Sequence, residues 1–381
     1  MKKYILVSLG TAVAVVLALF VGLYAMLGFS LTNVGETVRL LATMRYIGSK
    51  YVEAVPDHVL VNGAIDGMMQ SLGDKHSIYM EPTKFKAFQQ QNEGTFGGVG
   101  VVMGFPEQGR CVVMSVLEGS PSEAAGVLAQ DELLQVDGQP VKELQPEEIA
   151  QKVRGEEGTS VTLTIKRGEE EPFDLEITRA IIPLVTAKGT MVDNTNIGYI
   201  RIASFSENTG NEFKKELAAL KEKQMQGLII DLRANPGGLI TSCLAIANEV
   251  VSAGEVVSLI DRDGHKEVYE SKLTEPVVPL VILIDGNSAS AAEILAGAVQ
   301  DRQCGTLVGS KSFGKGSVQI VAPLFGGDGI KLTIAKYYTP SGRSIDGTGI
   351  EPDITVALPE TATEDLQLQK ALEILKEKMK P

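Results

Sequence analysis

The chain has 381 residues, a length that accommodates two or three domains. Its 44% hydrophobic and 22% charged residues are typical of a globular protein. The net charge of −13 at pH 7 argues against a nucleic-acid partner, because such a partner selects a basic surface.

Two lysines precede an uncharged run from Tyr4 to Phe29. As a helix, these 26 residues would span about 39 Å, which exceeds the roughly 30 Å of a bilayer core. The lysines are expected to stay in the cytoplasm, which leaves the rest of the chain outside it. A cleaved signal peptide is the alternative, but the run is longer than a usual signal core and no clear Ala-x-Ala site follows. We therefore predict that residues 1–29 are an uncleaved anchor in the cytoplasmic membrane and that the remainder lies in the periplasm or cell envelope.

Residues 30–92 show the spacing of amphipathic helices, with apolar side chains three and four positions apart. The residues that form two such stripes are Val38, Leu41, Ile47, Tyr51, Leu60, Ile65, Met68 and Met69. This region is predicted to be helical.

Three short signatures follow in order: Phe96-Gly-Gly-Val-Gly-Val101, Gly119-Ser-Pro-Ser-Glu-Ala-Ala-Gly126 and Asp131-Glu-Leu-Leu-Gln-Val-Asp-Gly138. Pro146–Val153 then reads as a helix. Together they resemble a PDZ domain over residues 93–182. Such a domain takes an extended C-terminus by strand addition and captures its carboxylate with backbone amides. The resemblance implies that the peptide contacts are Gly97, Gly98, Val99, Gly100, Val101, Ile149 and Val153.

The apolar segment Gly227-Leu-Ile-Ile-Asp-Leu-Arg233 predicts a buried strand that leads into Ala234-Asn-Pro-Gly-Gly238. A helical pattern follows. Glycines at such a junction allow backbone amides to point at an oxygen, as acyl transfer requires. A tight strand-to-helix turn without chemistry explains the same residues. Asp231 and Arg233 are predicted to be a structural pair that shapes the loop.

Ser290 opens a predicted helix, and Lys315 stands between two glycines at the start of a strand-like run; no histidine lies between them. A serine hydroxyl is a poor nucleophile until a neighbouring base takes its proton. A lysine can be that base where burial lowers the pKa of its amine. Side chains alternate along a strand, so Lys315, Ser317 and Gln319 are expected to share one face.

Three alternatives apply to this stretch. Gly309–Lys315 has most of a phosphate-binding loop, but Gly316 stands where that loop needs Ser or Thr. Ser312-Phe-Gly-Lys315 matches a Ser-x-x-Lys acyl-enzyme motif, but the flanking glycines disfavour the helix that motif needs. Finally, Ser290 could simply cap a helix, with Lys315 solvated in a loop.

Three segments carry a more extensive resemblance: Ser288-Ala-Ser290-Ala-Ala-Glu-Ile, Ala298-Val-Gln-Asp301 and Phe313-Gly-Lys315-Gly-Ser-Val-Gln319. They resemble the signatures of the carboxyl-terminal processing proteases, also called tail-specific proteases, and the resemblance extends from about residue 31 to residue 359. It implies that Ser290 is the nucleophile, Lys315 the base and Gln319 the residue that orients the lysine.

The same resemblance implies that Gly237 or Gly238, together with the amide of Ala291, forms the oxyanion hole. It implies that Arg154 couples peptide binding to the protease, although a plain surface arginine is the alternative. Asp301 could contact the lysine or brace the helix end, and the structural role is favoured.

The resemblance also implies an α/β fold with a β-spiral protease core, as in the crotonase and Clp-protease superfamily. The core would occupy residues 183–359, with the PDZ domain inserted before it and a C-terminal helix over residues 360–381. Residues 30–92 would help to form a homodimer. The implied partners are proteins with apolar C-termini and an activating adaptor. The other function class is a PDZ adaptor on an inactive protease scaffold.

No cofactor or metal is predicted, because no His, Cys and carboxylate cluster shows ligand spacing in the sequence. His58, His76 and His265 also lack the sequence context of a catalytic triad. The three cysteines, Cys111, Cys243 and Cys304, stand in apolar contexts and are predicted to be free thiols.

Overall fold

The computed structural model describes residues 34–107, 109–274, 278–357 and 364–380, together with Gly22. The chain forms two units, Met1–Tyr79 and Met80–Pro381. The predicted membrane segment lies outside the described residues. Among the described residues, no helix has the length and apolar character needed to cross a bilayer.

The first unit contains helices α1 (Val34–Lys50) and α2 (Asp57–Ser71), which confirm the two predicted amphipathic segments. Helix α1 has no buried residue, and Val38 and Leu41 are 57% and 59% exposed. The apolar stripe of α1 is therefore open to solvent. The short strand β1 (Ile78–Met80) lies at the end of this unit.

The second unit begins with α3 (Pro82–Glu93), which starts with proline and ends at Gly94 in the left-handed conformation, as helix termini commonly do. The elements of the PDZ region are β2 (Thr95–Gly98), β3 (Val101–Gly104), β4 (Cys111–Val116), α4 (Pro121–Ala124), β5 (Glu132–Val136), β6 (Gln139–Pro140), α5 (Pro146–Val153), β7 (Ser160–Lys166), β8 (Phe173–Thr178) and β9 (Ala180–Pro183).

The PDZ region has its own sheet, in the order β3-β4-β5-β7-β8, with β6 paired to β5 and a separate β2–β9 ladder. Its core includes Cys111, Leu133 and Ile165, all at most 3% exposed. Helix α5 coincides with the predicted groove helix, and its Ile149 and Val153 enter that core. Strand β3 is at one end of the sheet order, so one of its edges is not paired within this sheet.

The remaining elements are β10 (Ala187–Met191), β11 (Ile197–Ile202), α6 (Thr209–Glu222), β12 (Gly227–Asp231), α7 (Ile240–Val250), β13 (Gly254–Asp261), β14 (Lys266–Ser271), β15 (Leu280–Ile284), α8 (Ala291–Asp301), β16 (Thr306–Gly309), β17 (Ser317–Pro323), β18 (Gly329–Tyr338), β19 (Ile354–Thr355) and α9 (Leu366–Lys378).

Strands β10-β11-β12-β15-β16-β19 form the central sheet, which is parallel except for β10. Every residue of β12 and β15 is buried, because helices cover both faces. Ile230 and Ile282 pack with α6, α7 and α8 on one face. Ile229 and Val281 pack with α9 on the other. The side-chain alternation of a strand thus joins the C-terminal helix to the protease core.

A second sheet pairs β14, β13, β18 and β17 in antiparallel order. Together these sheets and helices form an α/β core that follows the PDZ region, in agreement with the predicted fold class. The β17–β18 ladder shifts register between Val318 and Gln319. This irregularity falls between the second and third residues of β17, a strand that begins two residues after the candidate base Lys315.

Candidate active site

Ser290 lies in the turn between β15 and α8, at the N-cap of the helix. Its φ of +55° belongs to the left-handed region that non-glycine residues seldom populate. The turn is held by Asp285, whose Oδ1 accepts from the amides of Ala234 and Asn287 at 2.9 and 3.0 Å. A sharp strand-to-helix turn therefore presents the serine.

Glu293 is the residue that links Ser290 to the lysine segment. It is fully buried, and its Oε2 accepts from the amides of Ser290 and Lys315 at 2.8 and 2.9 Å. Its Oε1 accepts from the hydroxyl of Ser312 at 2.5 Å and the amide of Gly314 at 2.7 Å. One carboxylate thus fixes the backbone of both candidate catalytic residues. The sequence signal was a Ser-x-x-Glu capping pattern, which the sequence analysis did not use for this purpose.

Lys315 precedes β17 by two residues. Close contacts and backbone conformation explain why a glycine stands on either side of it. A Cβ on Gly316 would lie 2.4 Å from the amide nitrogen of Asp346. Gly314 has a φ of +91°, which strongly favours glycine. The backbone can therefore pass close to the 346–349 segment on its way into β17.

Tyr337 of β18 contacts both candidate residues. Its hydroxyl donates to the carbonyl of Lys315 and forms a hydrogen bond with the side chain of Ser290. Burial, with the nearby charge of Glu293, raises the pKa of Tyr337 well above its ordinary value, so the phenol stays protonated. Sequence reasoning missed this tyrosine, because no local motif marks it.

A cavity of about 290 Å³ brings the candidate residues together. The predicted site residues that line it are Ser290, Lys315, Gln319, Gly237, Gly238 and Ala291, and Tyr337 joins them. The apolar part of its wall comes from Phe88, Leu239, Ile240, Ile294, Val318 and Val321.

The two predicted oxyanion glycines differ in this structure. The amide of Gly237 donates to Oδ1 of Asn235 at 2.8 Å, so it already has an acceptor. Among the described residues, no acceptor pairs with the amides of Gly238 and Ala291. A Cβ on Gly237 would lie 2.7 Å from Cβ of Ser290 and 3.0 Å from the amide nitrogen of Ala291. The loop and the start of α8 are therefore in direct contact, and Gly238 is the better of the two candidates.

Gln319 lines the same cavity, and its amide nitrogen donates to Ser317 at 2.9 Å and to Thr333 at 3.2 Å. The register shift of the ladder falls beside it. Its role in orienting Lys315 stays a prediction.

The candidate carboxylate loop of the PDZ region has the backbone arrangement that peptide capture needs. The carbonyls of Val99 and Gly100 accept from the amides of Ser122 and Leu117, both at 2.9 Å. In a planar trans peptide the amide points opposite to the carbonyl, so the amides of Gly100 and Val101 point away from that segment. A Cβ on Gly100 would come within 2.2 Å of Cβ of Ser120, so the position accepts only glycine.

The predicted apolar contacts of the groove belong to one cluster. Val99, Ile149 and Val153 are buried and Val101 packs against them. Beside Ile149, a cavity of about 360 Å³ lies where the segment after β3 meets the start of α5. Strand β3 thus has an edge without a partner in its sheet, and α5 contributes apolar side chains to the cluster that Val99 and Val101 join.

Comparison with known proteins decides the family. Residues 196–356 match the profile of peptidase family S41, residues 112–167 that of a PDZ domain and residues 32–83 that of the activating protease CtpB N-terminal domain. The chain is 37% identical over 334 residues to the carboxy-terminal processing protease CtpB of Bacillus subtilis, covering 86% of this chain and 69% of that protein. CtpA of the same organism is 35% identical over 367 residues, covering 95% and 78%.

The chain belongs to the carboxy-terminal processing proteases of family S41.

This carboxy-terminal processing protease also resembles a solved relative, the photosystem II D1 C-terminal processing protease. The two align with a TM-score of 0.52 and 26% identity over 89% of this chain and 97% of that one. The protein is accordingly a serine-type peptidase with the α/β core described above.

In this protease, Arg154 does not line the catalytic cavity. Its guanidinium lies 5.0 Å from the centre of the Phe96 ring and lines a second cavity of about 520 Å³. Helix α3 borders both cavities, and its Gln91 lines each of them. The helix thus connects the cavity beside Arg154 with the cavity that Ser290 and Lys315 line.

Asp231 and Arg233 form the predicted structural pair, with Nη2 of the arginine 2.7 Å from Oδ2 of the aspartate. Asp301 accepts from the amide and hydroxyl of Ser341 at 3.0 and 2.7 Å and pairs with Arg343. These contacts give Asp301 the bracing role that the sequence analysis favoured.

The expectation that no ligand-spaced cluster exists was wrong in one place. Asp261, Asp263 and His265 bring their ligand atoms within 4.8 Å of one another in the β13–β14 turn. Oδ1 of Asp261 accepts from the amides of Asp263 and His265, each at 2.9 Å, and Oδ2 contacts Nδ1 of His265 at 3.0 Å. Hydrogen bonds that close the turn explain the proximity. The three cysteines are free thiols, as predicted.

Proposed function

We propose that this protein is an endopeptidase that cleaves proteins near their C-termini with a dyad of Ser290 and Lys315. The observation that carries the proposal is the Glu293 carboxylate, which binds the amides of both residues at the edge of one cavity. Such a fixed pair of nucleophile and base is what acyl transfer by a serine requires.

In the first step the amine of Lys315 takes the proton of Ser290 as Oγ attacks the scissile carbonyl carbon. For this transfer the hydroxyl of Ser290 has to direct its proton at the lysine amine. The carbonyl oxygen becomes an oxyanion, which the amides of Gly238 and Ala291 stabilise, helped by the positive end of the α8 dipole. The lysine then protonates the departing amine, which leaves an acyl-enzyme.

In the second step a water molecule gives a proton to Lys315 and attacks the ester carbon. Collapse of this intermediate returns the proton to Ser290 and releases the new C-terminus. Gln319 holds the lysine amine towards the serine. Turnover should rise with pH as that amine loses its proton.

The PDZ domain selects the substrate by its apolar C-terminal tail. The amides of Gly100 and Val101 receive the carboxylate, because Gly97 and Gly98 lie in β2, which pairs with β9. The tail adds to the free edge of β3. Apolar side chains near Val99, Val101, Ile149 and Val153 favour apolar residues in the tail. Arg154 passes the bound state to the catalytic cavity.

The exposed apolar stripe of α1 supports a homodimer formed through residues 30–92. Burying such a stripe against a second copy would be favourable, because it removes apolar side chains from water. An adaptor protein that activates the enzyme is a further proposal, consistent with the match of residues 32–83 to the N-terminal domain of an activating protease. The uncharged run near the N-terminus supports a membrane anchor and an extracytoplasmic location. The alternative, an adaptor on an inactive scaffold, is less well supported because Ser290, Lys315 and Glu293 are all present.

The test uses the full chain in detergent with a panel of peptides that end in apolar or charged residues. Wild-type protein is expected to cleave the apolar-tailed peptides, whereas Ser290→Ala and Lys315→Ala should each abolish cleavage with unchanged thermal unfolding. The double variant should be no worse than either single one, because the two residues act as a unit. Near-normal turnover of Lys315→Ala would remove the lysine as the base.

A further inference from the structure

Arg233 stands where β12 runs into the loop that carries Gly237 and Gly238, and its guanidinium lies between two carboxylates. Asp231 accepts from it at 2.7 and 3.0 Å. From the other side, Asp365 accepts Nη1 and Nη2 at 2.9 and 2.8 Å, a bidentate pair. The arginine side chain is only 13% exposed. Two partners 134 positions apart in the sequence therefore fix one guanidinium.

Asp365 is the N-cap of α9, and its Oδ1 also accepts from the amide of Leu368 at 3.0 Å. Burial alone would raise its pKa, but the hydrogen bonds and charge of Arg233 lower the pKa below the ordinary range. Gln367 adds a contact from Nη1 of the arginine to its Oε1 at 3.1 Å. The start of the C-terminal helix is thus built around Arg233.

A short chain of contacts leads from this arginine to the nucleophile. Asn235, two residues on and fully buried, accepts from the amide of Ala289 at 2.9 Å. Its side chain donates to the carbonyl of Ile202 at 2.8 Å and accepts from the amide of Gly237 at 2.8 Å. Asn235 therefore ties the loop that begins at Arg233 to the turn that presents Ser290.

We infer that Asp365 is a positioning residue for the catalytic loop, so that the C-terminal helix is a working part of the active site. It acts through Arg233 and sets the position of the Gly238 amide relative to Ala291. The inference rests on the proposed function, since it assigns a consequence to the oxyanion loop. It differs from a packing role, because α9 attaches to the sheet through Ala371, Ile374 and Leu375 independently of Asp365.

The chain offers a variant that separates the two roles. Asparagine caps a helix as well as aspartate does, so Asp365→Asn keeps the cap and removes the charge that binds Arg233. The matched control is Glu373→Gln on the same helix, which breaks an exposed pair with Lys370. Arg233→Lys is the second variant, because a lysine keeps the charge but cannot pair with two oxygens of Asp365 at once.

The experiment measures kcat and KM for an apolar-tailed peptide, the inhibition constant of a peptide aldehyde that forms a tetrahedral adduct with the serine, and the thermal midpoint, all on the full chain. For Asp365→Asn we expect kcat to fall about tenfold with KM within twofold, below the 10²–10³-fold loss of a whole oxyanion donor. The inhibition constant of the aldehyde should rise in parallel. The control should match wild type in all three.

Unchanged kcat and aldehyde inhibition in Asp365→Asn would overturn the inference. A loss of kcat in Asp365→Asn and Arg233→Lys would also overturn the inference if the thermal midpoint fell in parallel and aldehyde inhibition stayed unaltered. That pattern indicates damage to the fold. If Asp365→Asn does not fold, Arg233→Lys decides by the same criteria. Failure of the proposed function is separate, because it would appear as peptide cleavage by Ser290→Ala.

Discussion

Oε2 of Glu293 lies 2.8 Å from the amide nitrogen of Ser290 and 2.9 Å from that of Lys315, so a single buried oxygen joins two residues 25 positions apart. The first belongs to the start of a helix, the second to the approach to a strand. Their relative position is therefore set by a third residue.

Replacing Glu293 with glutamine tests this relationship. An amide nitrogen cannot accept a hydrogen bond, so two of the four donors around the side chain would lose their acceptor. Each unsatisfied buried donor costs about 1–3 kcal/mol, which predicts a loss of roughly 2–6 kcal/mol of unfolding free energy. Turnover should fall more than tenfold, measured with the apolar-tailed peptide, and the thermal midpoint should drop.

The control is Glu351→Gln, which alters an exposed pair with Lys311. Surface pairs contribute little, so both measurements should stay near wild type. A Glu293→Gln enzyme with normal turnover and stability would show that the backbone alone holds the dyad in place.

The sequence predicted those parts of the site that reside in local patterns. The buried strand β12 and the helix α5 were predictable because their apolar patterns are local. Tyr337 and Asp365 were not, since each acts across a long sequence separation through one side-chain contact that leaves no periodic trace. The pairing of Gly237 with Asn235 depends on the turn conformation, which residue types alone do not specify. Asp261, Asp263 and His265 were not predicted to form a cluster, because residues two and four positions apart come together only when the hairpin turn closes.

The carboxylate loop offers a second prediction. A Gly100→Ala change places Cβ against Ser120 and is expected to weaken binding of an apolar-tailed peptide at least tenfold, measured by fluorescence polarisation with the Ser290→Ala background. Amidating the peptide tail should have a similar effect, because charge-assisted hydrogen bonds are worth roughly 1.5–3 kcal/mol each.

Gly168→Ala is the matched control for the loop. That residue also has a positive φ, of +54°, but nothing lies within 4 Å of the added Cβ. Its backbone strain is comparable, so peptide binding should stay near wild type. Equal cleavage of amidated and free-acid peptides would leave a general serine–lysine endopeptidase without tail selection.

Arg154 distinguishes a tether from a switch. If the PDZ domain only tethers substrate, Arg154→Ala should raise KM and retain kcat at saturating peptide. If the arginine transmits peptide binding through α3, kcat itself should fall at saturation. We expect this second result, because residues of α3 line both the cavity beside Arg154 and the cavity of Ser290 and Lys315. Lys166→Ala, which removes another cation of the PDZ region from a residue that lines none of the three cavities, is the control. Wild-type kcat in Arg154→Ala would reduce the residue to a surface or tethering role.

Acid should weaken the PDZ domain through Asp131. This carboxylate is 1% exposed and pairs with Arg167, with contacts of 2.8 Å to each oxygen. Burial opposes its ionisation, but the hydrogen bonds from Arg167 and the amide of Leu128, with the charge of the arginine, lower the pKa of Asp131 below its ordinary value. A lowered carboxyl pKa stabilises the folded state at pH above about 4, the ordinary value, and this contribution disappears as pH falls through the lowered one.

We therefore expect peptide binding and the thermal midpoint of the wild type to decline as pH falls below about 4. Asp131→Asn should start from a lower midpoint at pH 7, because it leaves Arg167 without its partner. It should then lose less between pH 6 and pH 3 than the wild type does, since the group that titrates is gone. Asp174→Asn, which changes an exposed carboxylate that accepts from Thr164, is the control and should keep the wild-type slope. An Asp131→Asn protein with the full acid dependence of the wild type would assign the decline to other carboxylates, such as Asp301 and Asp365, whose pKa values are also lowered.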